Sequence, residues 1–270
     1  MHLTIQSHVT GLIRKFNKEC IKMIKVKNLI VKFKNFTVIN DISLEIPKGT
    51  TLGLVGESGS GKTTLGRSIL LLNNITSGQI FYKGTEITTK NIHRFRPHMQ
   101  MVFQDPYSSI DPKMKIENVI AEPLIINKIC KSKSDRTYQV HKLLNLTGLD
   151  TCHASRYISD FSGGQRQRIA IARALATSPD FIIWDEAVSA LDVSVKAQII
   201  NLIMELQREL GLTYLFISHD MAVVRHVCTD IAVLYKGTIA EYGTCSQICF
   251  SPRNDYTKKL IASVMIPKHT

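Results

Sequence analysis

The sequence predicts an α/β fold: a parallel sheet core with helices on both sides, an N-terminal antiparallel β layer and an inserted α-helical subdomain. Three observations carry this expectation. Residues 52–55, 181–184, 214–217 and 231–234 are short continuous apolar runs, the pattern of strands buried on both faces. Residues 25–33 and 42–46 alternate apolar and polar positions, as strands with one wet face do, and the second run ends at the Pro47-Lys48-Gly49 turn. Residues 105–161 show no buried-strand pattern, while 115–126 and 135–146 carry apolar residues at helical spacing.

Taken in order, residues 1–22 form an extension with Arg14, Lys15, Lys18 and Lys22 but without the apolar core of a signal peptide. Met23 stands directly before the first strand, and the natural product is expected to start there. A domain over 23–265 then divides into a catalytic core (23–104 and 162–250), the helical subdomain (105–161) and a C-terminal helix (251–265), with a tail at 266–270. The chain, 270 residues long, is large enough to bury a substantial core without staples. Its six cysteines are scattered, and only Cys245 and Cys249 lie close, too few for a zinc or iron–sulfur site; reduced thiols are expected. No apolar run approaches the roughly 20 residues needed to span a bilayer, so any membrane role must come through a partner.

The run 51–55 leads into Gly56-Glu57-Ser58-Gly59-Ser60-Gly61-Lys62-Thr63-Thr64, and residues 65–72 read as the helix that follows, with Ile69 and Leu72 on its apolar side. Strand, glycine-rich loop and helix in this order specify a phosphate-binding loop, hence a P-loop NTPase (RecA-like) core. Glycines let successive N–H groups turn inward, and the positive end of the helix faces the same hollow. A nucleotide polyphosphate is the natural guest. Lys62 would neutralise β- and γ-phosphate charge, and the Thr63 hydroxyl would take one coordination position of Mg²⁺.

A second anion site is expected at Ser162-Gly163-Gly164-Gln165. Ser162 is a plausible N-cap for an alanine- and isoleucine-rich helix over 165–176, which Pro179 stops. Asp185 ends the buried run 181–184, where open parallel sheets bind ligands, and suits Mg²⁺ binding; Glu186 is placed to polarise an attacking water as general base. A long amphipathic helix follows Asp192, with Val195, Ile199, Leu202, Leu206 and Leu210 on one side and Gly211 as its stop. His219, at the end of the run 213–217, could reach the γ-phosphate. Gln104, after 99–103, could reach the metal or the water.

Together and in this order, the phosphate loop, Gln104, Ser162-Gly163-Gly164-Gln165, Asp185-Glu186, Asp192 and His219 resemble the ATP-binding cassette (ABC) family, over roughly residues 24–265. The resemblance implies two cassettes paired head to tail. Each ATP then lies between one chain's phosphate loop and the other's serine–glycine signature, so that Ser162, Gly163, Gly164, Gln165 and Asp192 serve across the pair. Phe33 falls where the family often stacks an aromatic ring on adenine, with Phe36 as fallback.

Residues 102–112, 161–169 and 252–264, the last with Tyr256-Thr257-Lys258-Lys259, look like the ATPase subunits of dipeptide, oligopeptide and nickel importers. Such a subunit implies a second ATPase chain of a different kind, two transmembrane permease subunits, an extracytoplasmic substrate-binding protein and a place on the cytoplasmic face of the membrane. Ala187-Val188, where proline often follows the glutamate in peptide members, and the absence of a longer cysteine-containing tail tilt the expectation toward nickel, cobalt, zinc or a metallophore chelate.

The excess of Lys plus Arg over Asp plus Glu, 34 − 22 = 12, invites a nucleic-acid reading, with a repair- or translation-associated cassette as the alternative. Such proteins usually carry a coiled-coil or zinc insertion, or two cassettes on one chain. Sustained heptads and zinc-ligand spacings are missing here, and no N-K-x-D guanine motif occurs. A basic protein that holds anionic nucleotides near an acidic membrane surface is the preferred account, and no nucleic-acid partner is expected.

Overall fold

A computed structural model describes residues 22–34, 36–105 and 110–265. Of the expected extension 1–22, residues 1–21 lie outside the described residues, as do Pro106-Tyr107-Ser108-Ser109 and the tail 266–270. Lys22 already opens the first strand, and Met23, expected just before that strand, is a buried residue within it. Two sheets organise the molecule. The first pairs β1 (Lys22–Phe33) antiparallel with β2 (Phe36–Pro47); β4 (Ser77–Tyr82) and β5 (Thr85–Ile87) continue it in the order β2-β1-β4-β5.

The second contains β3 (Thr51–Val55), β6 (Met99–Val102), β7 (Phe181–Asp185), β8 (Thr213–Ile217), β9 (Asp230–Tyr235) and β10 (Thr238–Thr244) in the order β10-β9-β3-β8-β7-β6. Five of these strands are parallel, and β10 joins the edge antiparallel to β9. The helices are α1 (Lys62–Ile69), α2 (Ile92–Phe95), α3 (Ile116–Ile126), α4 (Lys133–Leu146), α5 (Gly163–Leu175), α6 (Val193–Leu210), α7 (Met221–Val227), α8 (Cys245–Phe250) and α9 (Asp255–Met265).

The continuous apolar runs are explained by which core each side chain joins. Ile182, Trp184, Tyr214, Phe216, Ile231 and Val233 face a core shared with α3 to α8. Phe181, Ile183, Leu215, Ile217, Ala232 and Leu234 face the other core, with α1 and the antiparallel layer. Alternate residues thus point to opposite faces and both faces are dry, which is why no polar position interrupts the pattern. The Trp184 ring meets Tyr214 edge-on at 5.3 Å, and removing a ring from either core would cost about 3–5 kcal/mol. The two layers are tied where Asp180, just before β7, accepts the Tyr82 hydroxyl at 2.6 Å and the Lys83 ammonium at 2.7 Å.

Several expectations need correction. The helix after the phosphate loop runs Lys62–Ile69 rather than 65–72; Leu71 turns left-handed (φ 48°), which ends the helix and leaves Leu72 48% exposed instead of packed. Leu210 is likewise exposed at the end of α6, where Gly211 (φ 64°) closes the helix as expected. Helix α5 takes in Gly163 and Gly164, so the glycine pair occupies its first turn. Strands β4, β5 and β10 were not anticipated: two are short or contain glycine, and β10 is a half-exposed edge without an apolar run.

Candidate nucleotide site

Because β3, β6, β7 and β8 are parallel, their carboxyl ends share one edge, and that edge collects Gly56, Gln104, Asp185 and His219 from four distant parts of the chain. The loop after β3 turns on Gly56 (φ 152°), Gly59 (φ 77°) and Gly61 (φ 107°). Gly56 admits no other residue, since a Cβ there would lie 2.2 Å from the Leu234 carbonyl oxygen. The Lys62 ammonium donates to the carbonyls of Gly56 at 2.9 Å and Glu57 at 2.8 Å. Burial pushes its pKa below the usual 10.5, opposed by the nearby charges of Glu186 and Asp185. Ser60 supports the loop from within, its N–H donating to the Glu57 carbonyl at 3.2 Å, while Thr64 lies in the first turn of α1.

Helix α1 begins at Gly61 with no side-chain cap and no acidic residue in its first turn. Its positive end is therefore left for a ligand anion, and the loop suits a polyphosphate. Glu57, Ser58 and Gly59 are exposed at the mouth. The Thr63 hydroxyl donates to Asp185 Oδ1 at 2.8 Å, bringing together the two oxygen groups expected to hold Mg²⁺. Asp185 is only 4% exposed, and burial holds its carboxyl above the usual range, partly offset by the Thr63 hydroxyl and Arg67. Hard oxygen donors next to a phosphate loop fit a Mg²⁺ ion.

Glu186 adopts a left-handed conformation (φ 50°). Its N–H donates to the Ile217 carbonyl at 3.0 Å, and its carbonyl accepts both the N–H (3.0 Å) and the hydroxyl (2.8 Å) of Ser189. Strain of this kind persists where surrounding bonds over-determine it. The Glu186 carboxylate faces His219 Nδ1 at 3.2 Å, and the Gln104 amide reaches the Ser189 hydroxyl at 3.5 Å. Gln104, Ser189, Glu186 and His219 thus form one connected row. Ser189 in this row carried no role in the sequence reading.

The signature residues are organised locally. Ser162 caps α5 with its hydroxyl accepting the Gln165 N–H at 3.4 Å, and the Gln165 side chain accepts the Ser162 N–H at 3.1 Å. Gly164 has a packing reason, since a Cβ there would stand 2.3 Å from Val195 Cγ1; at Gly163 the nearest atom would be Leu191 Cδ2 at 3.7 Å. Asp192 caps α6, accepting the Val195 N–H at 3.0 Å and the Ser194 hydroxyl at 2.9 Å.

Among the described residues no hydrogen bond or ion pair joins 162–165 to 56–64, so the two anion sites are separate within one chain. Phe33 and Phe36 pair at the turn end of the β1–β2 hairpin and are 48% and 70% exposed. The second strand of that hairpin passes the loop, where the Val38 carbonyl would lie 3.1 Å from a Cβ on Gly61.

Residues 39–189 match the family model described as ABC transporter. The chain is 46% identical over 254 residues to the oligopeptide transport ATP-binding protein OppF of Bacillus subtilis, covering 91% of this chain and 83% of that protein. It is 44% identical over 256 residues to the dipeptide transport ATP-binding protein DppF of Lactococcus lactis, covering 91% and 82%. Among solved structures it resembles cbiO1 from Clostridium perfringens (TM-score 0.76, 25% identity, 84% of this chain and 90% of that one). It also resembles the dimeric ATP-binding cassette MJ0796 bound to ADP and Pi (TM-score 0.74, 28% identity, 83% and 99%). The tilt toward nickel and other metals finds no support in these relatives. Ala187 and Val188, on which it partly rested, are buried core residues.

Proposed function

This chain belongs to the ABC transporter family as an ATPase of the peptide-importer kind, and from that premise we propose that it drives uptake of oligopeptides or dipeptides through a membrane permease. The observation that carries the reading is the convergence of Lys62, the Thr63–Asp185 pair and the Glu186–His219 pair on one sheet edge. In this reading Lys62 and the backbone N–H groups of 56–64 grip the ATP polyphosphate, and Phe33 stacks on the adenine, with Phe36 as the fallback. Thr63, Asp185 and Gln104 are the residues that would hold Mg²⁺, which when bound neutralises charge on the β- and γ-phosphates.

Glu186 accepts a proton from the attacking water as general base, and His219, beside it, steadies the γ-phosphate side of the site. Ser162, Gly163, Gly164, Gln165 and Asp192 complete the site of a second ATPase subunit, paired head to tail, that is a different chain of the same family. The same reading divides the chain into the core (23–104 and 162–250), the helical subdomain (105–161) and the C-terminal helix (251–265). The chain works at the cytoplasmic face of the membrane with two permease subunits and an extracytoplasmic binding protein. No described helix is long and apolar enough to cross the membrane itself.

A groove of about 480 Å³ between β6, α3 and α5, lined by Leu72, Met101, Phe103, Ile126, Glu122 and Arg173, is the seat for a cytoplasmic helix of the permease. Closure around ATP and reopening after hydrolysis would be transmitted there. Purification of the assembled complex tests the proposal. It should contain a second ATPase chain and two permease chains, with ATP hydrolysis raised by peptide and binding protein. A strictly monomeric chain, shown so by light scattering, that hydrolyses ATP at the full rate alone would overturn it.

A further inference from the structure

One peptide unit of the phosphate loop, the bond between Gly56 and Glu57, is held from both ends. Its carbonyl oxygen accepts the Lys62 ammonium at 2.9 Å, and its N–H donates to the Tyr256 hydroxyl oxygen at 3.1 Å. A trans peptide is planar, with C=O and N–H on opposite sides, so these two bonds fix its orientation and couple Tyr256 to Lys62 through a rigid unit. Among the described residues, Tyr256 is the only side chain from outside the loop that bonds a backbone group of 56–61. It comes from the start of α9, 199 residues away in sequence.

Tyr256 is itself firmly placed. Its ring packs on Tyr235, at the end of β9, with centroids 4.1 Å apart. Its N–H donates to Asn254 Oδ1 at 2.8 Å, and the Asn254 amide donates to the Ala240 carbonyl of β10 at 3.2 Å. The Glu241 carboxylate accepts the N–H groups of Arg253 at 2.8 Å and Asn254 at 3.1 Å. The β9–β10 turn supports the same loop directly, with the Gly237 N–H donating to the Ser60 carbonyl at 3.1 Å. The final strand hairpin and the C-terminal helix therefore form one brace behind the phosphate loop.

We infer that Tyr256 is a positioning residue of the nucleotide site: its hydroxyl orients the Gly56–Glu57 peptide, and through it Lys62, before a polyphosphate arrives. A loop held in its binding shape by the fold does not have to be ordered by the ligand, so the hydroxyl should act on affinity rather than on the hydrolytic step. This rests on the nucleotide reading of the loop.

Tyr256→Phe removes only the hydroxyl and keeps the ring on Tyr235. Calorimetric titration of the full chain with Mg-ATP should show roughly five-fold weaker binding for this variant, the scale of one hydrogen bond. Its apo melting temperature should stay close to wild type. In the assembled complex KM for ATP should rise while kcat at saturation holds. Unchanged affinity, with or without a lower melting temperature, would overturn the inference and leave Tyr256 a structural residue.

Lys62→Ala separates the two readings: if it binds ATP as tightly as wild type, the nucleotide reading itself fails. A measurement on the unmutated apo chain covers the case in which Tyr256→Phe does not fold. Amide hydrogen exchange at Glu57 should be slow next to that at Ser58 and Gly59, and rapid exchange at Glu57 would equally overturn the inference.

Discussion

His219 Nδ1 stands 3.2 Å from Glu186 Oε2, with the histidine side chain 61% exposed and the carboxylate residue only 19%. One partner is open to whatever enters the site and the other is sheltered behind it. Groups arranged this way act as a unit, so their removal should be non-additive. Glu186→Gln is expected to bind ATP and to lose turnover by roughly 10²–10⁴-fold, as loss of a general base does, and to accumulate as a closed ATP-bound dimer. His219→Ala should also fall, and the double variant should be little worse than Glu186→Gln alone. Steady-state hydrolysis and light scattering with ATP check both parts; a Glu186→Gln complex with ordinary turnover would remove the glutamate from its role.

The two signature glycines should separate by experiment. Gly164→Ala drives a methyl group to 2.3 Å from Val195 Cγ1, and overpacking between α5 and α6 should cost about 1–3 kcal/mol. Gly163→Ala meets Leu191 at an ordinary 3.7 Å, and a helical alanine stabilises by up to about 1 kcal/mol, so the fold should hold. Loss of ATP hydrolysis in the assembled pair without loss of melting temperature is expected only for Gly163→Ala. Denaturant unfolding of both variants beside their turnover decides this, and equal destabilisation by both would contradict it.

The parts legible in the sequence were those whose burial leaves a mark on neighbouring residues. Strands β3, β7, β8 and β9 are dry on both faces and so read as unbroken apolar runs, while Ser162, Asp192 and Gly211 announce helix ends by local hydrogen bonding or a positive φ. Strand β10 escaped because an edge strand needs no apolar run, and Leu72 misled because a left-handed Leu71 cannot be read from residue type. Tyr256 could be quoted as part of a familiar ending but given no role, since its partner Glu57 is set by the tertiary fold. The row from Gln104 through Ser189 to Glu186 was hidden for the same reason.

Ile126 offers a test of the permease seat. It is 71% exposed at the end of α3 and lines the groove beside β6 and α5, away from the core side chains of its own helix. Ile126→Asp should therefore change folding stability by no more than about 0.5 kcal/mol. It should leave ATP binding intact and weaken recovery of the permease chains in the purified complex. Calorimetric ATP affinity and the subunit content of the preparation give the two readouts; full assembly of the variant would move the seat elsewhere.

Asp185 gives a pH-dependent prediction whose sign follows from its burial. Its pKa in the folded chain lies above the ordinary 3.8, so folding favours the protonated carboxyl. That contribution is complete below the unfolded value and is lost as pH rises through the folded one, leaving a buried charge that burdens the apo chain at neutral pH. Asparagine keeps an oxygen to accept the Thr63 hydroxyl but carries no charge. Asp185→Asn should accordingly melt higher than wild type at about pH 7.5, with the advantage shrinking as pH falls toward about 4. The same variant should need roughly 10–100-fold more Mg²⁺ for hydrolysis if, as proposed, the carboxylate that burdens the empty fold is the one that holds the ion. Melting curves across pH, beside Mg²⁺ titrations of the assembled ATPase, measure both sides of this exchange, and a variant less stable than wild type at neutral pH would show that the Asp185 charge is compensated in the resting chain.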